Sequence, residues 1–229
     1  VIKKITQTRK GKTVTRKYEF TGEEKQIFDR TLKRVRRISD GLVGGWIEKE
    51  YNLSHDGNCF IFDNACVYGD ARVFGAARVF GDACVYDNAY VYDDGLVFGN
   101  ARVFGYACVF GKARVCDNAS VYDNACVYGD ASVCDNARVS GKARVYDNAC
   151  VFGDMLCTES VMYANLYRYI ITCSDSHISV GCQVHTFEVW KEHGEKIAKE
   201  EGLSDTEIEL YRSIILGMIA YREATNQKG

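Results

Sequence analysis

Any nucleophilic, metal or acid–base chemistry in this chain has to come chiefly from its eleven cysteines and four histidines. Cys182-Gln183-Val184-His185, with Cys173 and His177 nearby, has the residue types of a zinc site but lacks a second tight ligand pair. No metal and no cofactor is therefore expected. His55, His177, His185 and His193 are the histidines, and none falls between residues 56 and 176. A general base needs a positioned side chain in a cleft, and that long stretch offers no histidine for the role. A phosphate-loop motif, a Rossmann fingerprint, paired catalytic acids and a nucleophile elbow are all missing. The expectation is a protein that binds rather than catalyses.

Charge gives the second candidate chemistry. Residues 1–37 hold thirteen Lys or Arg against four Asp or Glu, although the whole chain is close to neutral at −2. Thr21 to Glu24 has the form of a helix capping box, followed by Ile27, Phe28, Leu32, Val35 and Ile38 at helical spacing. In that helix Arg30, Lys33, Arg34 and Arg37 share one face, a surface suited to phosphates or an acidic partner through counterion release and direct Arg contacts. A solvated face on a capping module is the plainer use of the same charges. Residues 1–20 alternate weakly around Lys10-Gly11-Lys12, a hairpin signal, so residues 1–40 read as a basic ββα module.

The elements that must position these residues are set by a repeat. Valine recurs every six residues from Val67 to Val151, and alanine from Ala65 to Ala149 with Gly95 the single exception. Ala and Val stand two apart and face the same side of a short strand, while Gly-Asp, Asp-Asn or Gly-Lys supplies a bend. Such a unit buries itself only by stacking, which makes residues 41–183 a β-solenoid. Proline is absent, where ordinary composition predicts about 11; ladder-bonded strands exclude it because it lacks the N–H donor.

The repeat resembles the hexapeptide-repeat, left-handed parallel β-helix group, in which three repeats make a triangular coil of 18 residues. That resemblance implies a single-stranded parallel β-helix of about five regular coils. Rings would then stack in outer columns, Tyr86, Phe104 and Tyr122 in one and Tyr92, Phe110 and Tyr128 in another. Ladder stabilisation explains them; so would a ligand or oligomer surface that also used Arg78, Arg114 or Arg138. Seven cysteines occupy repeat positions where other repeats carry Arg, Ser, Phe or Tyr. They read as reduced thiols in surface slots, in the cytoplasm of a bacterial host. Cys116 and Cys134, like Cys108 and Cys126, would sit on adjacent rungs. Hexapeptide-repeat acyltransferases share this solenoid, but the resemblance implies a histidine base and a looped-out insertion, and the repeats here contain neither.

Gly44-Gly45-Trp46-Ile47-Glu48-Lys49-Glu50, Asn52-Leu53-Ser54 and Gly57-Asn58 precede the repeats. Ile178-Ser179-Val180-Gly181-Cys182, His185-Thr186-Phe187-Glu188 and Trp190 follow them. In that order, across residues 41–192, the chain resembles a family of polymer-forming-like hexapeptide-repeat proteins common in phages and prophages. The resemblance implies a phage or prophage origin but no settled activity. Ser204 to Glu207 is a second capping box, opening a helix with Ile208, Tyr211, Ile215, Met218 and Ile219 along one side. With an earlier helix over 187–200, residues 184–229 read as a helical cap and oligomerisation segment. No leader of charged-then-apolar type is recognised, and no apolar run approaches the roughly 20 residues that span a membrane.

The functional expectation is an accessory binding protein, an anti-CRISPR-like inhibitor of a host defence complex that contains nucleic acid. Its partners would be a host protein or protein–nucleic acid complex and further copies of itself, as dimer or trimer. Sequestration of a nucleotide signal, a virion solenoid and acyl transfer are the alternatives.

Overall fold

The computed structural model describes residues 6–9 and 12–226. A hairpin of β1 (Thr6–Arg9) and β2 (Lys12–Thr15) comes first, and Lys10 and Gly11 of the expected turn lie outside the described residues. Next come β3 (Tyr18–Ile27), β4 (Arg30–Arg37) and β5 (Val43–Ile47), and a short 3-10 turn at Glu50–Asn52. Seventeen two-residue strands, β6 (Phe60–Ile61) to β22 (Leu156–Cys157), make the solenoid. An antiparallel meander of β23 (Met162–Asn165), β24 (Ile170–Cys173), β25 (His177–Val180) and β26 (Gln183–Thr186) then leads to α1 (Phe187–Glu200) and α2 (Asp205–Asn226).

The coil follows from the six-residue unit. Every repeat valine from Val67 to Val151 and every repeat alanine is fully buried. Val85 lies in parallel register with Val67 on one side and Val103 on the other, so one coil is 18 residues and the strands stack into three parallel sheets. Backbone N–H groups donate to the next coil throughout, as from Cys84 to Ala101 O at 2.9 Å. The residue after each outer aromatic turns the corner in the left-handed region, between φ +53° at Asp63 and +73° at Gly129. Glycine reaches that region without strain and aspartate tolerates it.

Upstream, Gly44-Gly45-Trp46-Ile47 makes a rung ahead of the first coil. Trp46 and Ile47 pair in parallel with Cys66 and Val67, and the Trp46 N–H donates to Ala65 O at 2.9 Å. The backbones approach so closely that a Cβ on Gly44 would stand 2.5 Å from Ile61 O, and one on Gly45 2.4 Å from Ala65 O. Glu48 accepts the Gly69 N–H at 2.7 Å, and the buried Asn52 amide donates to Gly69 O and Ala71 O at 3.2 and 2.8 Å. These motif residues cap the solenoid's first turn.

The helix expected over residues 21–38 is absent; the first module is all β, not ββα. β3 and β4 pair antiparallel, with Tyr18 opposite Arg37 and Ile27 opposite Arg30, and β4 pairs with β5. The Glu23 N–H donates to Thr21 Oγ1 at 3.1 Å beside Gly22, which sits at φ +94° in a bulge. The reason is tertiary. β5 presents an open row of backbone donors and acceptors, and a strand satisfies them while burying Leu32 and Val35. Local helical spacing yields to that. One face of the solenoid thereby becomes a nine-stranded sheet ending at β3.

The regular coils stop at Cys157, before the expected 183. Met155 and Cys157 fill the inward slots of Ala and Val, and the meander covers the coil behind them, the Cys150 N–H donating to Thr172 Oγ1 at 3.1 Å. The two helices stand where the sequence puts them. Thr186 caps α1, and Ser204 and Glu207 exchange hydrogen bonds at the start of α2, 2.8 Å from the Ser204 N–H to Glu207 Oε2. Arg222 of α2 is buried and donates to Ser160 O at 2.8 Å, fastening the helix to the end of the coil.

Candidate binding surfaces

Arg30, Lys33, Arg34 and Arg37 lie on β4, so they do not form one cationic face. Arg34 is in register with Trp46 and Lys33 with the buried Ile47, which sends neighbouring side chains to opposite sides of the sheet. The three arginines are also neutralised. Arg30 pairs with Glu48 at 2.9 Å, Arg34 with Glu23 at 3.0 Å and Arg37 with Asp40 at 2.5 Å. Each guanidinium also lies over a ring, Arg34 over Trp46 at 5.2 Å and Arg37 over Phe60 at 5.1 Å. The Arg37 hydrogen bonds and the Leu42 N–H hold the Asp40 carboxyl down to about 2. Lys33 is the exposed member of the four, its Nζ 5.7 Å from the Phe20 ring.

The same hairpin carries a residue that spacing alone did not single out. Phe28 sits at its tip, 92% exposed, with φ at +53°. A bulky side chain in the left-handed region is an outlier, and exposure of the whole ring removes any packing reason for it. A helix-spaced pattern places Phe28 on the apolar stripe; only the turn reveals it.

The aromatic columns form as expected. Tyr86, Phe104 and Tyr122 stack with centroids 4.9 and 5.0 Å apart, and Tyr92, Phe110 and Tyr128 at 4.8 and 5.0 Å, all within 6° of parallel. Rings this close leave no slot for a nucleobase between them. Arg78 and Arg114 flank Leu96 on one sheet, whereas Arg138 lies on another between Ser120 and Leu156. The three arginines therefore do not converge. Burial raises the phenol of Tyr92 above its usual range, as it does that of Tyr86.

The histidines stay apart. His55 stacks on Tyr18 at 4.3 Å, and its Nδ1 accepts the Lys17 N–H at 3.2 Å. His177 meets Ser176 Oγ at 2.9 Å, and His185 meets Gln183 Oε1 at 3.2 Å with its ring edge-on to Trp190. Cys173 is buried and Cys182 exposed, so the Cys182–His185 segment gathers no ligand set. Among the described residues, the group of three that could share a metal is Cys116, Asp117 and Cys134. An apolar slot of about 40 Å³ runs between the helices and the meander, lined by Tyr169, Trp190, Ile197, Leu203 and Tyr211.

The geometry defines a β-helix repeat protein with closed ends. Residues 131–147 match the family model of the YdcK beta solenoid repeat, a span of roughly one coil. No curated protein matches the chain. No helix among the described residues is long and apolar enough to cross a membrane.

Proposed function

We propose that the chain is a non-catalytic binding protein, a phage or prophage accessory whose β3–β4 hairpin engages a bacterial host protein or protein–nucleic acid complex. Phe28 carries this reading. A phenyl ring held in solvent at a backbone angle costing about 1–2 kcal/mol per residue has no structural use, and strain of this kind gathers where a partner is met. Exposed aromatics that can be buried whole are the usual anchors of protein interfaces. β3 is the terminal strand of its sheet, and its free edge suits strand addition beside that anchor. The solenoid serves as the rigid rod that presents the finger. The ion pairs of Arg30, Arg34 and Arg37 favour a protein surface over bare phosphates, because each guanidinium already has its carboxylate. Inhibition of a host defence complex is the role that fits the resemblance of residues 41–192 to phage proteins.

Phe28→Asn separates binding from folding. Asparagine accepts the left-handed angle, so the variant should be more stable by about 1 kcal/mol in urea unfolding. It should lose the partner that the wild-type protein captures from infected bacterial lysate. Capture that persists in Phe28→Asn overturns the reading. Capture lost on nuclease treatment and falling steeply between about 50 and 200 mM salt moves the site to the basic residues 1–17.

A further inference from the structure

Three pairs of cysteines lie on successive rungs: Cys66 with Cys84, Cys108 with Cys126, and Cys116 with Cys134. Their surroundings differ in sign. Lys25 Nζ stands 3.7 Å from Cys66 Sγ, and Arg102 is paired in register with Cys84, so cations guard the first pair. The second has Arg144 next in register and no carboxylate grouped with it among the described residues. The third is the tandem Cys116-Asp117-Asn118 and Cys134-Asp135-Asn136, one coil apart. There the Cys116 and Cys134 sulfurs and an Asp117 carboxylate oxygen all lie within 4.8 Å of one another.

We propose that Cys116, Cys134 and Asp117 form a binding site for a thiophilic divalent cation of the zinc and cadmium class. Two sulfurs and one carboxylate oxygen are the protein ligands, and water fills the remaining position. Tetrahedral bonds of 2.3 Å put two sulfurs about 3.8 Å apart, which side-chain rotation reaches from a rung spacing of roughly 4.8 Å. Two further observations point the same way. The site interrupts a column that elsewhere carries phenyl rings, Phe80 and Phe98 being stacked at 4.8 Å. Thiols therefore stand where the repeat supplies rings. Asp117 is held at φ +57° on the corner directly after Cys116, and its Oδ2 accepts the Asp135 N–H at a long 3.4 Å, a weak bond that a cation can displace. Asp135 adds a second negative charge beside Cys134, although its Oδ2 is committed to the Gly153 N–H at 3.0 Å. Binding exchanges two thiol protons for one dication, M²⁺ + 2 RSH giving M(SR)₂ + 2 H⁺.

The test titrates Cd²⁺ into the reduced, metal-stripped full chain and follows the sulfur-to-cadmium charge-transfer absorption. Wild type should take up one tightly held ion and show a higher melting temperature with it. Cys116→Ser/Cys134→Ser should lose that ion, while Cys108→Ser/Cys126→Ser and Cys66→Ser/Cys84→Ser keep it. Asp117→Asn should loosen it about tenfold or more. If the double serine variant fails to fold, Cys116→Phe/Cys134→Phe restores the rings of the column and takes its place. Absence of a saturable band in wild type, or a band that survives loss of Cys116 and Cys134, overturns the site.

Discussion

At the residue scale, the corners explain why the repeat ends in Gly or Asp. Both residues reach the left-handed angle, but aspartate also bonds to the next coil. Asp63 accepts the Gly81 N–H at 3.0 Å and Asp123 the Gly141 N–H at 3.1 Å, so the carboxylate caps a donor on the next rung. One position further on, Asn100 donates to Asn118 at 3.2 Å, Asn118 to Asn136 at 3.3 Å, and Asn136 to Asp154 at 3.2 Å. Gly and Asp as bend residues were legible from the six-residue period. The amide ladder was not, because it needs the coil length and the stacking order together. Asp87, at φ +59° with its carboxylate receiving the Gly105 N–H at 3.3 Å, makes the test. Asp87→Val should cost about 1–2 kcal/mol for a branched side chain at that angle, added to the lost bond. Asp87→Gly should cost less than half as much, since only the bond is lost. Urea unfolding that ranks valine level with glycine would show that the corner angle is not what selects the residue.

At the scale of elements, the solenoid strands were legible because their signal is redundant. Each two-residue strand is too short to be recognised alone, yet Val67 to Val151 keeps one phase throughout. β3 and β4 were misread because their spacing fits two structures. Ile27, Phe28, Leu32 and Val35 suit a helix face, and Arg30, Lys33, Arg34 and Arg37 a second one. Pairing with β5 decided between them, and that contact lies outside any local window. The meander of residues 162–186 went unseen for a related reason, since Thr172 and Ser179 are polar yet buried through bonds to the last coil. A strand in mid-coil supplies the stability prediction. Val109 is fully buried, with Val91 and Val127 in register on either side. Val109→Asp places an unpaired carboxylate in a dry interior, a cost of several kcal/mol that exceeds what one rung can offset. The variant should lose its cooperative thermal transition by circular dichroism. A soluble protein that melts as wild type does would contradict the buried-rung packing.

Over the whole molecule, the two ends of the rod are finished differently and one side is left open. Tyr18 closes the first end, its hydroxyl donating to Glu50 O at 2.7 Å. The meander and Arg222 close the other, which prevents end-to-end growth of the kind an uncapped solenoid invites. Helix α2 has two apolar sides. Tyr211, Ile215 and Ile219 are buried against the meander and α1, and Ile208 is buried as well. On another side Leu210, Gly217 and Tyr221 are exposed, Leu210 at 50% and Tyr221 at 60%, and Ile214, itself packed partly on the core, stands between them at spacings of four, three and four. A two-helix contact would use this spacing, with Gly217 allowing close approach. A second copy of the chain would suit it if the two helices met about a twofold axis, where one strip faces itself. Light scattering at micromolar concentration should therefore give a dimer of the 25.7 kDa chain. Leu210→Glu with Tyr221→Glu should give a monomer whose melting temperature at low concentration is unchanged, since neither side chain enters the core of one protomer. This contact would be refuted by a wild-type monomer under these conditions, or by a double glutamate variant that remains dimeric. In the second case, self-association would have to use the aromatic columns or the β3 edge instead.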